Sequence, residues 1–374
     1  MRILAVLPTF RPPEYQGKVG GGEISNRSLL EGLVGRGHEV SVVTLAGAGR
    51  PHAQINGVEV IESPRHGPGK MMRWLTARAS LRQTSLEVAS RLSPDIVLTA
   101  TEAVAVALVV GKSRGVPVGV FIRAFENFPA IYPDFLQIPK RFRHQIKKIV
   151  LGNWGPSSLA EADLLIPNSE FMERCCREAL APVLTHVVYP PLEFENLQQM
   201  EACRINTVSM VGTGLKKGTE LVKGLARRFP DLQFRIVGQS GLHPGQELTR
   251  GNLTLSGWCN VREEFEEKAD IVIVPSLCEE AFGRVAVEGL LAGKIVLVSD
   301  IGGLPEAVHY EEKLCVAPGD ERQWAERLDE VVANANPFRA ASLRARSFSH
   351  RFSADAQVIS LENVLYANKR IFRY

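Results

Sequence analysis

Short runs of apolar, mostly β-branched residues recur along the chain, separated by amphipathic stretches of helical period. In the first half the runs are Ile3–Leu7, Val40–Thr44, Ile96–Thr99, Val118–Ile122 and Leu164–Pro167. Each is almost continuously apolar, as a strand must be when helices cover both faces of its sheet. A first helix is predicted from about Glu23 to Arg36, with Ile24, Leu29, Leu30 and Leu33 inward and Gly37 as its stop. A second series begins at Asn206: Thr207–Val211, Phe234–Val237, Leu253–Ser256, Ile271–Val274 and Ile295–Val298. This alternation predicts an α/β chain of two doubly wound, Rossmann-like units in sequence.

The join falls at Val187-Val188-Tyr189-Pro190-Pro191-Leu192-Glu193. Paired prolines fix φ twice and remove two donors, so neither sheet can continue through them. The tail from Ser353 to about Lys369 carries Ala356, Ile359, Leu361, Val364 and Leu365 at helical spacing. The expected domains are therefore 1–188, 189–352 and a closing helix, 353–374. A length of 374 residues suits two domains, each large enough for its own core.

Composition excludes more than it selects. With 45% hydrophobic and 23% charged residues, the chain is neither disordered nor a disulfide scaffold. Its net charge of +3 does not mark a nucleic-acid binder. The six cysteines form no CxxC pair and no zinc spacing, which fits reduced thiols in a cytoplasmic protein. The apolar runs at Ile3–Leu7 and Ala103–Val110 are too short to span a bilayer. No Asp-x-Asp, HExxH or clustered His/Asp set suggests a metal site.

The densest chemistry lies in Pro275-Ser276-Leu277-Cys278-Glu279-Glu280-Ala281-Phe282-Gly283-Arg284-Val285-Ala286-Val287-Glu288. It follows a buried strand, so it sits at the carboxyl edge of a sheet, where open α/β folds bind ligands. Phe282-Gly283 is expected to turn, with a helix from Arg284 carrying Glu288 one turn in. Carboxylates accept hydrogen bonds in pairs and suit sugar or ribose hydroxyls. The helix-start amides suit an anion. The plain alternative leaves Glu280 as a solvated loop acid and pairs Glu288 with a nearby Arg.

Glu280 and Glu288, set in PS…EEAFGRVAVE, resemble the E-x7-E motif of retaining GT-B glycosyltransferases, especially glycosyltransferase family 4. Gly20-Gly21-Gly22-Glu23 with Arg36-Gly37-His38-Glu39-Val40 resembles that family's opening glycine loop, first helix and second strand. Val188-Tyr189-Pro190-Pro191-Leu192 is similar to its linker, Lys217-Gly218 to the end of its phosphate loop, and Ser299–Glu306 to its SDxGGxPE segment. The resemblance implies a GT-B fold: two Rossmann-like domains facing across a cleft, with the last helix crossing back to the first domain. It implies an acceptor on the first domain and a nucleotide sugar, UDP-linked by family precedent, on the second. By the same resemblance Glu280 holds donor-sugar hydroxyls beside the backbone of Ala281, Phe282 and Gly283. Glu288 holds the ribose, Lys217 neutralises the leaving diphosphate, and Gly21 and Gly22 let the donor approach. Trp258 and Val261 lie near the expected base pocket.

The family's phosphate-loop Arg is missing from Val211–Lys217, which leaves Lys216, Arg284 or Arg123 as a second charge. Its first-domain histidine is also missing, and Ala100-Thr101-Glu102 stands there instead. The resemblance implies metal-independent transfer without a cofactor, to a glycan, glycolipid or natural-product hydroxyl. Residues 140–148, within the amphipathic segment Lys140–Val150, read either as a packed helix with a solvated face or as a peripheral contact with an anionic membrane surface. Two rivals accompany this reading. One is an NAD(P)-dependent oxidoreductase using Gly212-x-Gly214-x-x-x-Gly218, although no acid ends the next strand. The other is a non-catalytic partner protein of the same fold.

Overall fold

The computed structural model describes the chain apart from residues 16–18, 46, 48, 50, 65–67, 126–155, 181–182, 194–203, 240 and 372–374. The Lys140–Val150 segment thus lies outside the described residues. Two compact units emerge. The first holds Met1–Pro191 and Ala354–Tyr374, the second Leu192–Ser353.

Unit 1 is built on strands β1 (Arg2–Leu7), β2 (Glu39–Thr44), β3 (His52–Ile55), β4 (Val58–Glu62), β5 (Ile96–Ala100), β6 (Val118–Ile122) and β7 (Leu164–Pro167). Its helices are α1 (Gly21–Gly35), α2 (Gly69–Leu92), α3 (Val104–Arg114), α4 (Pro156–Leu159) and α5 (Glu170–Leu180). The strand order is β3-β4-β2-β1-β5-β6-β7, and every pairing is parallel except β3 with β4. The chain winds outward from β1 on one side, then returns to β5 on the other. The winding sense thus switches between β1 and β5, which opens a crevice at their carboxyl ends. Helix α1 begins two residues earlier than its apolar pattern predicts, because Gly21 and Gly22 already adopt helical geometry behind an extended Gly20. Past its end, Gly37 takes φ +86° and donates its N–H to the Val34 carbonyl.

Unit 2 repeats the plan with β8 (Thr207–Val211), β9 (Gln233–Val237), β10 (Glu247–Arg250), β11 (Leu253–Ser256), β12 (Ile271–Val274), β13 (Ile295–Ser299) and β14 (Cys315–Val316). The connecting helices are α6 (Thr219–Arg228), α7 (Val261–Lys268), α8 (Arg284–Leu291), α9 (Leu304–Ala307), α10 (Glu321–Ala333) and α11 (Asn336–Phe348). The order is β10-β11-β9-β8-β12-β13-β14, with only β10 antiparallel to its neighbour. Here the winding switches between β8 and β12. The central strands are buried on both faces, which explains their near-unbroken Val and Ile content.

The last helix, α12 (Ala354–Ile371), belongs to the core of unit 1. Val358, Leu361, Val364 and Leu365 pack among Leu29, Leu30 and Leu33 of α1 and the residues of β1 and β2. Close approach depends on Gly32, where a Cβ would stand 2.3 Å from Val358 Cγ2. A polar latch closes the contact. Arg36 Nη2 lies 2.7 Å from one Glu362 oxygen and His38 Nε2 lies 2.8 Å from the other. Bonding to Arg36, and then to His38, holds the Glu362 carboxyl below its ordinary value of 4.5. A carboxyl depressed in the fold stabilises it above the unfolded value and loses that contribution as the pH drops toward the folded one. Glu362→Gln should therefore lower the thermal midpoint at pH 7. The gap from the parent should close progressively below pH 4.5, which melting curves over pH 3–8 would measure.

Candidate active site

The loops that follow β8 and β12 lie side by side over the switch point of unit 2. After β8 the chain turns through Gly212 and Gly214, at φ +101° and +103°, into one 3₁₀ turn, Leu215–Lys217, and reaches α6 through Gly218. Gly218 is forced. Its φ is +79°, and a Cβ there would stand 2.1 Å from the carbonyl oxygen of Pro275 in the neighbouring loop. The Leu277 N–H donates to the Lys216 carbonyl at 2.9 Å and ties the two loops together. The aliphatic stem of Lys217 crosses the face of Gly212.

This packing delivers Lys217 to Glu280. Lys217 Nζ and Glu280 Oε1 are 2.5 Å apart, and Ser276 Oγ donates to the same oxygen at 2.5 Å. Both side chains remain partly open to solvent. The Glu280 backbone is fixed from below by the loop after β13. Gly303 N–H donates to the Glu280 carbonyl at 2.8 Å, and neither Gly302 nor Gly303 leaves room for a Cβ. The result is a cation and an acid held together at a sheet edge, where a ligand can separate them and bind both. Beside them the Glu279 carboxyl is pushed up by burial, and its Oε2 is buried without a hydrogen-bond partner.

Ala281, Phe282 and Gly283 complete the loop. Phe282 is buried, and Gly283 takes φ +116° immediately before α8. Glu288 stands one turn into α8 and pairs with Arg284, at 3.2 Å from Nη2. The two acids of the E-x7-E spacing thus have different partners and do not bond each other. Arg284 is committed to Glu288, as the plain alternative from the sequence has it. Trp258 follows β11, half-exposed, with its ring against Gly238 at the carboxyl end of β9. Val261 opens α7, which Asn260 caps by accepting from the Arg262 N–H. A cavity of about 390 Å³ lined by Arg204, Arg228 and Phe229 opens at the amino ends of β8 and β9. That is the opposite edge of the sheet from Lys217 and Glu280, away from the carboxyl ends where such folds bind ligands.

In unit 1, Gly20 stands at the N-cap of α1 and Gly21 and Gly22 open it, with no side-chain cap. Gly22 lies against Arg123, which is buried at the end of β6. The Arg123 Nε donates to Asn26 at 2.9 Å and Nη1 to the Val188 carbonyl at 2.6 Å, while Nη2 has no partner. Burial pushes its pKa down to about 9. Arg123 is therefore occupied in joining α1, β6 and the start of the linker. Directly after β5, at the switch point of this sheet, Thr101 takes φ +46°, an outlier for a β-branched residue. Ser276, Gly302 and Gly303 lie within the quoted motifs, but the sequence reading assigns them no role as supports. The first is betrayed only by its i, i+4 spacing to Glu280.

Two family descriptions cover most of the chain. Glycosyltransferase Family 4 matches residues 19–196, and Glycosyl transferases group 1 matches residues 213–334. The chain is a family 4 glycosyltransferase. A Klebsiella pneumoniae protein described as an uncharacterized 42.6 kDa protein in the cps region is 24% identical over 316 residues, 78% of this chain and 84% of that one. The D-inositol 3-phosphate glycosyltransferase of Mycobacteroides abscessus is 37% identical over 160 residues. That stretch covers 38% of this chain and only 36% of the relative's own length. Sucrose-phosphate synthase from Thermosynechococcus elongatus shares the fold with a TM-score of 0.76 at 16% identity, over 98% of this chain and 99% of that one. Anabaena HepE in complex with UDP-glucose gives 0.73 at 17%, over 98% and 100%. The fold is thus GT-B, and membership sets aside the oxidoreductase reading. Among the described residues no helix is long and apolar enough to cross a membrane. Nor do three His, Cys, Asp or Glu side chains among them gather as a metal site.

Proposed function

We propose that this enzyme is a retaining hexosyltransferase that works without a metal or cofactor. Its donor is a nucleoside-diphosphate sugar bound at the carboxyl edge of unit 2, UDP-linked as in the HepE complexes. Its acceptor is a hydroxyl of a glycan, glycolipid or natural product, carried by unit 1. The observation that carries this reading is the Lys217–Glu280 pair poised over the β8/β12 switch point. Lys217 takes the diphosphate, Glu280 the sugar hydroxyls beside the Ala281–Gly283 backbone, and Glu288 the ribose once Arg284 yields it. Trp258 and Val261 border the base, and Gly21 and Gly22 lend their backbone to the donor.

The chemistry follows from charge. The C1–O bond to the diphosphate breaks and its electron pair leaves with the phosphate. The acceptor oxygen bonds C1 on the same face, and its proton passes to the departing phosphate oxygen. Negative charge growing on that oxygen is stabilised by the Lys217 ammonium and by oriented loop amides. Action at the cytoplasmic face, with residues 140–148 touching anionic lipid, is the localisation this reading favours.

A thermal-shift panel of UDP, GDP, ADP and NADPH on the full chain tests the donor, because a ligand of the folded state raises its midpoint. UDP should raise it and NADPH should not. Glu280→Gln should lower UDP-glucose hydrolysis about 10- to 100-fold, the worth of a hydrogen bond to a charged group. Unchanged hydrolysis in that variant would refute the role given to Glu280.

A further inference from the structure

We infer that Phe352 is a positioning residue for the donor loop, holding Phe282, and through it the 280–283 backbone, from the point where the chain leaves unit 2. The inference rests on the donor reading of that loop. Phe282 lies between Glu280 and the start of α8, and its side chain is 2% exposed. Its ring meets Phe352, also 2% exposed, edge to face at 5.0 Å between centroids and 76° between planes. Such a pair has a preferred geometry, which a shapeless apolar contact lacks.

The place of Phe352 in the chain gives the contact its consequence. Residues Ser349–Phe352 form a 3₁₀ turn after α11, and unit 2 ends at Ser353. The Phe352 carbonyl accepts the N–H of Leu192, the first residue of unit 2, at 2.9 Å. Leu192 and Ser353 also form a single parallel bridge. The incoming and outgoing strands are therefore fastened at Phe352, and the ring of the same residue bears on the donor loop.

Two further supports hold the loop. The Gly302–Gly303 backbone lies under Glu280–Phe282, and Leu304 crowds Gly283, where a Cβ would stand 2.7 Å from Leu304 Cδ2. Those contacts fix the main chain from one side. Phe352 restrains the one large side chain of the loop. Without it the Phe282 ring gains room, and the Glu280 carboxylate and the amides at Phe282 and Gly283 lose register with the sugar. The diphosphate contact through Lys217 belongs to a different loop and does not depend on Phe352.

Phe352→Leu and Phe282→Leu, singly and together, test this in the full chain. UDP-glucose hydrolysis and UDP affinity are read at a temperature where melting curves show each variant folded. Each single variant should lose about 10- to 100-fold in kcat, as small misplacements near reacting atoms do, with UDP affinity changed less than about twofold. The double variant should be no worse than the weaker single one, because both remove the same contact. A lower midpoint with normal kcat, or losses that multiply in the double variant, would overturn the inference. A parent chain that binds no UDP would instead overturn the donor reading and this inference with it.

Discussion

Lys217→Ala is expected to cut kcat by about 10²–10³-fold, the scale of one lost donor to a developing oxyanion. The donor KM should rise by much less, because the charge that Lys217 meets is largest in the transition state. The resting structure sharpens the expectation. Lys217 is bonded to Glu280, so a donor must first part the pair, and the gain from its diphosphate is partly offset by the contact it breaks. Ground-state binding is therefore blunted, whereas leaving-group stabilisation is not. The fold should tolerate the change. The Lys217 side chain is 42% exposed, and a solvent-screened pair contributes only ~0–1 kcal/mol. Glu280 also keeps Ser276. Hydrolysis and melting curves on the same preparation separate the two effects. A variant that keeps its kcat would remove Lys217 from the chemistry, whatever its stability.

The sequence displays the winding of both sheets because their central strands are buried on both faces and must be apolar throughout. An apolar-run criterion passes over the strands that lack this constraint: the partly buried β4, the two-residue β14, and β3 and β10. His52–Ile55 alternates exposed and buried, and Glu247–Arg250 is exposed along its length. Both are edge strands paired antiparallel to their neighbours. Yet Asn56-Gly57, at φ +47° and +82°, is a tight-turn signal in plain view between β3 and β4. The site divides in the same way. Glu280, Glu288 and Lys217 are visible as motifs because their chemistry dictates residue type. That Glu280 pairs with Lys217 is not visible, and the Glu288–Arg pair stands in the sequence only as an alternative, because either acid could reach a cation along a flexible side chain. Arg123 shows the limit most clearly. In the sequence it is a spare charge for the phosphate, whereas in the fold it is a buried brace between Asn26 and the Val188 carbonyl.

The second large effect is expected at Gly302, in the Ser299–Glu306 segment that the family resemblance marks without giving its glycines a role. Gly302 takes φ +63°, and a Cβ there would stand 2.6 Å from the Glu280 carbonyl oxygen and 2.7 Å from the Glu280 nitrogen. Both neighbours are main-chain atoms, which cannot rotate away as a side-chain tip can. Alanine in the left-handed region costs about 1–2 kcal/mol by itself. Relief of the clash must then come from the Glu280 backbone, which the Gly303 N–H and the Leu277–Lys216 hydrogen bond hold against the same movement. Gly302→Ala should lower stability by about 2–4 kcal/mol, within the range for strain at a special backbone position. It should also lower kcat by about 10²-fold, since a shift near 1 Å at a substrate-positioning group has that effect. UDP should still bind, because the Lys217 loop and Glu288 on α8 lie outside the contact. Calorimetry with UDP, urea melts and hydrolysis of UDP-glucose measure the three quantities separately. If turnover survives while stability falls, the Glu280 loop is set by its own sequence and the glycine pair only fills space beneath it. If both fall with UDP affinity intact, the backbone contact at Gly302 is what holds the sugar-binding acid in register.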